Sequence, residues 1–70
     1  MGKKKVVTRF SQFDVVRLKF GRPEFAIPPG SDAAVLGVYP AGYEIEVTDD
    51  QGRTLYLGSA AHDELELVTP

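Results

Sequence analysis

The chain has 70 residues, a formal net charge of -2, one histidine and no cysteine. That length makes one domain; the lack of cysteine excludes disulfides, thiolate metal sites and cysteine nucleophiles, and a lone histidine does not build a zinc site. Apolar residues make up 43% of the chain, which suits a packed core and argues against a disordered segment.

The charge is unevenly distributed. Residues 1–9 carry Lys3, Lys4, Lys5 and Arg9 and no acid, whereas residues 10–70 set Arg17, Lys19, Arg22 and Arg53 against all ten acids. They read as a flexible basic arm (1–9) followed by one domain (10–70). Thr8, Arg9, Ser11 and Gln12 interrupt any apolar run after the opening lysines, so no secretory segment is read. Val6 stands where a myristoylation signal needs Ser or Thr. A cytoplasmic, bacterial protein is the expectation. Val6 and Val7 could also lengthen the first strand.

The first strand is predicted over Phe13–Phe20, with Val16, Leu18 and Phe20 on one face and Arg17 and Lys19 on the other. Gly21 and Pro23 end it. Residues 21–32 hold three prolines and two glycines, which exclude a central strand or a helix and make a long loop. Phe25 and Ile27 are apolar enough to tuck beneath that loop and pin it to the core. Ala33–Tyr39 is the second strand, and Pro40-Ala41-Gly42 a hairpin connection. Tyr43–Thr48 has the cleanest alternation in the chain, with Tyr43, Ile45 and Val47 inward and Glu44, Glu46 and Thr48 outward. Asp49–Gly52 is a turn in which Gly52 supplies positive φ. Arg53–Leu57 is the fourth strand, broken by Gly58-Ser59. Residues 60–64 make one helical turn, with Ser59 placed to cap it, and Leu65–Val68 is the last strand.

Strand, long loop, strand, hairpin, strand, hairpin, strand, helical turn, strand is the connectivity of a small five-stranded SH3-like barrel. Short strands that each bury one face do so by curling together, which leaves few open edges. An open roll of the same strands, or an OB-like arrangement, is the alternative.

Five stretches together resemble a family of small bacterial proteins of unknown function, domain-of-unknown-function family 4926. They are Phe13–Leu18, Gly30 with Val35–Tyr39, Tyr43–Val47, Asp50–Leu55 and Asp63–Leu65. The resemblance spans about residues 10–68. The sequence departs from the family's pattern at Ala33 and Ala34, which stand where the pattern has glycine and threonine; Ala33 resists positive φ, so the loop at 30–33 is expected to differ. The resemblance implies a non-catalytic protein often encoded beside toxin-like genes, in the manner of an antitoxin or immunity partner. A looser likeness extends to SH3-like accessory parts of larger enzymes, such as a small photosystem subunit and the nitrile hydratase β-chain barrel, which dock onto bigger proteins.

No constellation for catalysis emerges, and no cofactor or metal is implied. Ser59, His62 and Asp63 have the letters of a catalytic triad but lie on one local turn, whereas a triad is assembled from distant segments. Glu44 and Glu46 share an exposed strand face, which does not supply the desolvation that acid–base work needs. Asp49 and Asp50 lack the spacing of a calcium loop and fit turn chemistry. The glycines never reach the spacing of a phosphate loop.

Two surfaces stand out for a partner. One is the long loop with its neighbouring hairpin: Arg22, Pro23, Glu24, Phe25, Tyr39 and Pro40. The other is acidic: Glu44, Glu46, Asp49, Asp50, Glu64 and Glu66. An acidic body repels phosphate backbones and attracts cationic partners. The expectation is therefore a protein-binding module that occludes a basic toxin. An accessory subunit of a larger complex is the alternative, followed by a nucleic-acid-binding barrel using Arg17, Lys19, Arg22 and Phe25, to which Lys3, Lys4 and Lys5 could add.

Overall fold

A computed structural model describes residues 9–68. The arm through Thr8, with Lys3, Lys4, Lys5, Val6 and Val7, lies outside the described residues. The rest is all-β: β1 (Val15–Leu18), β2 (Asp32–Tyr39), β3 (Gly42–Thr48), β4 (Thr54–Ala60) and β5 (Leu65–Leu67), with single 3-10 turns at Pro23–Phe25 and His62–Glu64. The five strands form one antiparallel sheet in the order β4-β3-β2-β1-β5. No ladder joins β4 to β5, so hydrogen bonding leaves the sheet open rather than closed into a barrel. Register irregularities between Val35 and Gly37 in β2, and between Val47 and Thr48 in β3, bend these strands.

The period-2 pattern explains the core. Val16 and Leu18 of β1, Ala33 and Val35 of β2, Tyr43, Ile45 and Val47 of β3, Ala60 of β4 and Leu65 of β5 are buried together with Phe10 and Ile27. Burying a large aliphatic side chain contributes roughly 1.5–3 kcal/mol, and these positions come from every strand, so they tie the sheet into one unit.

Some boundaries differ from the sequence reading. β1 is only four residues long, and Phe20 beyond it is 61% exposed. Lys19 N–H instead donates to Glu64 O, and Gly30 N–H to Leu18 O, so the chain turns away before Phe20 reaches the core face. Phe13 also lies outside the strand, at φ 73°. The long loop holds no α-helix and no central strand, as its prolines require. Pro23 starts a single 3-10 turn, where its missing N–H leaves nothing unsatisfied. Of the two apolar loop residues, Ile27 is buried (2% exposed), whereas Phe25 is 43% exposed and lies edge-on to Tyr56. Gly58-Ser59 does not break β4, which runs on to Ala60. The turn that follows is not capped by Ser59: the Ala61 N–H donates to Glu64 Oε1 at 2.9 Å. Ala33 sits in β2 with ordinary extended backbone, and the positive φ of that loop falls on Gly30 instead.

No helix among the described residues is long and apolar enough to cross a membrane.

Candidate functional site

The long loop, the β2–β3 hairpin, the end of β4 and the 3-10 turn before β5 meet at one end of the sheet. They enclose an open groove of about 550 Å³ lined by Arg22, Tyr39, Gly42, Tyr43, Tyr56, Ser59, Ala60 and Glu64, among others. Each element delivers its side chain for a local reason. Tyr39 closes β2 beside the two-residue turn Pro40-Ala41 and is 53% exposed. Its ring lies against Gly37, where an added Cβ would come within 2.6 Å of the Tyr39 hydroxyl. Tyr56 follows the same device on β4: Gly58 leaves room for the ring, and the Tyr56 hydroxyl donates to Ser59 O at 2.8 Å.

Arg22 forms the loop-side wall. Its guanidinium pairs with Glu64 at 3.3 Å and stands 5.3 Å from the centre of the Tyr56 ring. Burial pulls the Arg22 pKa down, but Tyr56 and the Glu64 carboxylate outweigh it, and the net direction is upward. Phe25 meets Tyr56 edge-on, with ring centres 5.1 Å apart. Arg22 and Glu64 are 14% and 32% exposed in their side chains, so solvent screens their attraction less than in a free surface pair, against a desolvation cost.

The back wall is Tyr43, which is 1% exposed. Its hydroxyl accepts the Phe10 N–H at 3.1 Å and lies 3.0 Å from Nδ1 of His62. Phe10 stacks on His62 with ring centres 4.8 Å apart, and Arg9 lies over the Tyr43 ring while its guanidinium donates to Tyr39 O. Arg9, assigned by sequence to a flexible arm, is thus fastened to the groove wall.

The structure divides the candidate residues into three places. Arg22 and Tyr39 share the groove, with Phe25 adjacent through Tyr56. Glu44 and Glu46 stand on the outward face of β3, opposite Ser59 and Leu57 of β4, and Glu46 accepts a hydrogen bond from the Thr54 hydroxyl. Asp49 and Asp50 belong to the β3–β4 turn and line a different depression with Ile27, Pro28 and Arg53. Asp49 is committed to that turn. It accepts from the N–H groups of Gln51 and Arg53 and pairs with the Arg53 guanidinium at 2.9 Å. The Arg53 N–H, ahead of the other donors, holds its carboxyl below the usual range. Glu64 and Glu66, also read as open acids, are engaged by Arg22 and Arg17.

The sequence reading missed Tyr56, Arg9 and the Tyr43 hydroxyl as parts of this site. The pairs Gly37/Tyr39 and Gly58/Tyr56, each with a glycine two residues from a tyrosine on one strand, were the available signal.

No protein-family model matches the chain, and neither the curated proteins nor the solved structures contain a match. The groove offers tyrosine rings and hydroxyls, and a cation already neutralised by a carboxylate.

Proposed function

We propose that this chain is a non-catalytic protein-binding module whose groove receives a segment of a basic partner protein. The observation that supports it is the meeting of Arg22, Tyr39, Tyr56 and Glu64, from separate stretches of sequence, around one open groove. Tyrosine supplies large contact area with little side-chain entropy to lose, which is why it dominates binding surfaces. The basic character of the partner follows from charge. The described residues carry ten acids and five cationic side chains, and Arg17, Arg22 and Arg53 are engaged with acids of the same chain. Such a surface steers cations toward it and repels phosphate.

Within that class, occlusion of a basic, nuclease-like toxin is the role to which the acidic surface and the resemblance to family 4926 point. Three of the four groups that nucleic-acid binding would use are otherwise engaged: Arg17 faces Asp32 and Glu66, Arg22 faces Glu64, and Phe25 packs on Tyr56, which leaves Lys19. An accessory subunit would instead make an apolar, salt-resistant contact.

Capture from a lysate of the source cells, with wild type and Tyr39→Ala as paired baits, tests the reading. One basic protein held by wild type, released by moderate salt and lost from Tyr39→Ala is expected. Nucleic acid in the eluate, or equal retention by both baits, would contradict it.

A further inference from the structure

We propose that His62, Tyr43 and the Phe10 N–H form a pH-sensitive latch that fastens the incoming chain to the sheet and opens when His62 takes up a proton. The Tyr43 oxygen already accepts the Phe10 N–H at 3.1 Å. Tyr43 is 1% exposed, and Nδ1 of His62, 3.0 Å away, is the one acceptor for its hydroxyl proton among the hydrogen bonds of the described residues, so we take Nδ1 as the acceptor and the imidazole proton as sitting on Nε2. The Phe10 N–H, the Tyr43 hydroxyl and Nδ1 of His62 are each satisfied in that state.

Protonation of His62 turns Nδ1 into a donor. Nδ1–H and the Phe10 N–H then both point at one phenol oxygen, and the hydroxyl proton has no other acceptor among the hydrogen bonds of the described residues. Tyr43 is 1% exposed, so the unmatched donor is held away from solvent, where such a group is costly. The Phe10 N–H is the partner that can leave, because Tyr43 is fixed by its ladder to Val38 and Ala60 on either side.

The charges around His62 can be named element by element. From the incoming chain, Arg9 lies over the Tyr43 ring, 5.0 Å from its centre, and opposes a second positive charge. From β3 the facing group is the Tyr43 phenol, with Glu44 on the outward side of that strand. On His62's own turn stand Asp63 and Glu64, and Glu64 is engaged by Arg22 and the Ala61 N–H. The latch needs neutral imidazole, so its contribution is present while His62 is unprotonated and is lost when His62 takes up a proton.

Opening would reach the groove. Arg9 donates to Tyr39 O and covers Tyr43, and both tyrosines line the groove. Release of Arg9 and Phe10 therefore changes the hairpin-side wall. The latch stands on its own geometry, whatever the groove receives.

Amide hydrogen exchange by nuclear magnetic resonance on the free domain, from pH 7.5 to 5, tests it. The Phe10 protection factor should fall about tenfold, with a midpoint that follows the His62 ring signal in the same samples, while the Ile45 amide inside the sheet holds its protection. In His62→Gln, whose side chain accepts but does not titrate, Phe10 should stay protected throughout. Phe10 protection that is flat through the His62 titration, or that falls together with Ile45, or that falls equally in His62→Gln, would overturn the proposal.

Discussion

Phe13 occupies left-handed backbone at φ 73° and leaves 73% of its surface exposed. A non-glycine residue there costs about 1–2 kcal/mol, and little packing repays it. Phe13→Gly should therefore raise stability, by up to about 1 kcal/mol once glycine's greater unfolded-state entropy is deducted. Urea denaturation measures this, and a lower midpoint would mean that the exposed ring is packing after all. Asp49 gives a pH prediction. Its folded-state carboxyl is held below the usual range by the Arg53 N–H first and by its other donors after that. The stability it contributes is present above the unfolded value, roughly pH 4, and is lost as pH falls through the lower folded value. Asp49→Asn should be less stable than wild type at pH 7, with the difference closing below about pH 4; a gap independent of pH would refute that. At this scale the sequence was informative about side-chain direction and silent about hydrogen bonds. Alternation placed Tyr43 inward, but nothing in the chain's order revealed that its hydroxyl would hold Phe10, 33 residues away.

At the scale of elements, legibility followed the sharpness of alternation. β3 reads apolar-polar without a break, and Tyr43, Ile45 and Val47 are buried as read. Leu55-Tyr56-Leu57 in β4 is apolar on both faces, so the pattern does not choose between them. Pairing with β3 does: Leu57 falls opposite outward Glu46 and is 56% exposed, while Tyr56 falls opposite buried Val47. Gly58 looked like a strand breaker because glycine has no side chain to pack. In place it lets the Tyr56 ring lie along its own strand, and β4 continues. Gly58→Ala would put a Cβ within 2.8 Å of the Tyr56 hydroxyl and swing the ring out. Loss of the bond to Ser59 O costs about 1 kcal/mol and is partly offset by reduced unfolded-chain entropy. The variant should change stability by less than about 1 kcal/mol yet lose partner capture; full capture would remove Tyr56 from the binding site.

For the whole molecule, the strand sequence and its antiparallel pairing were legible because each element carries its own turn signal. Closure of the sheet was not, since it depends on whether β4 and β5 meet, and they form no ladder. The candidate site was half legible for a related reason. Arg22 and Tyr39 could be paired from the long loop and the hairpin, but ion pairs with distant arginines removed Glu64 and Glu66 from the open acidic set, and a local pair with Arg53 removed Asp49. What remains outward is Glu44, Glu46 and Asp50, and attraction of a basic partner falls to them. The most direct test is calorimetric titration of the captured partner against wild type and the triple variant Glu44→Lys, Glu46→Lys, Asp50→Lys, at low and moderate salt. The account predicts binding at least about tenfold weaker in the variant, with the salt dependence largely gone. Equal affinity and equal salt dependence in the two proteins would contradict it.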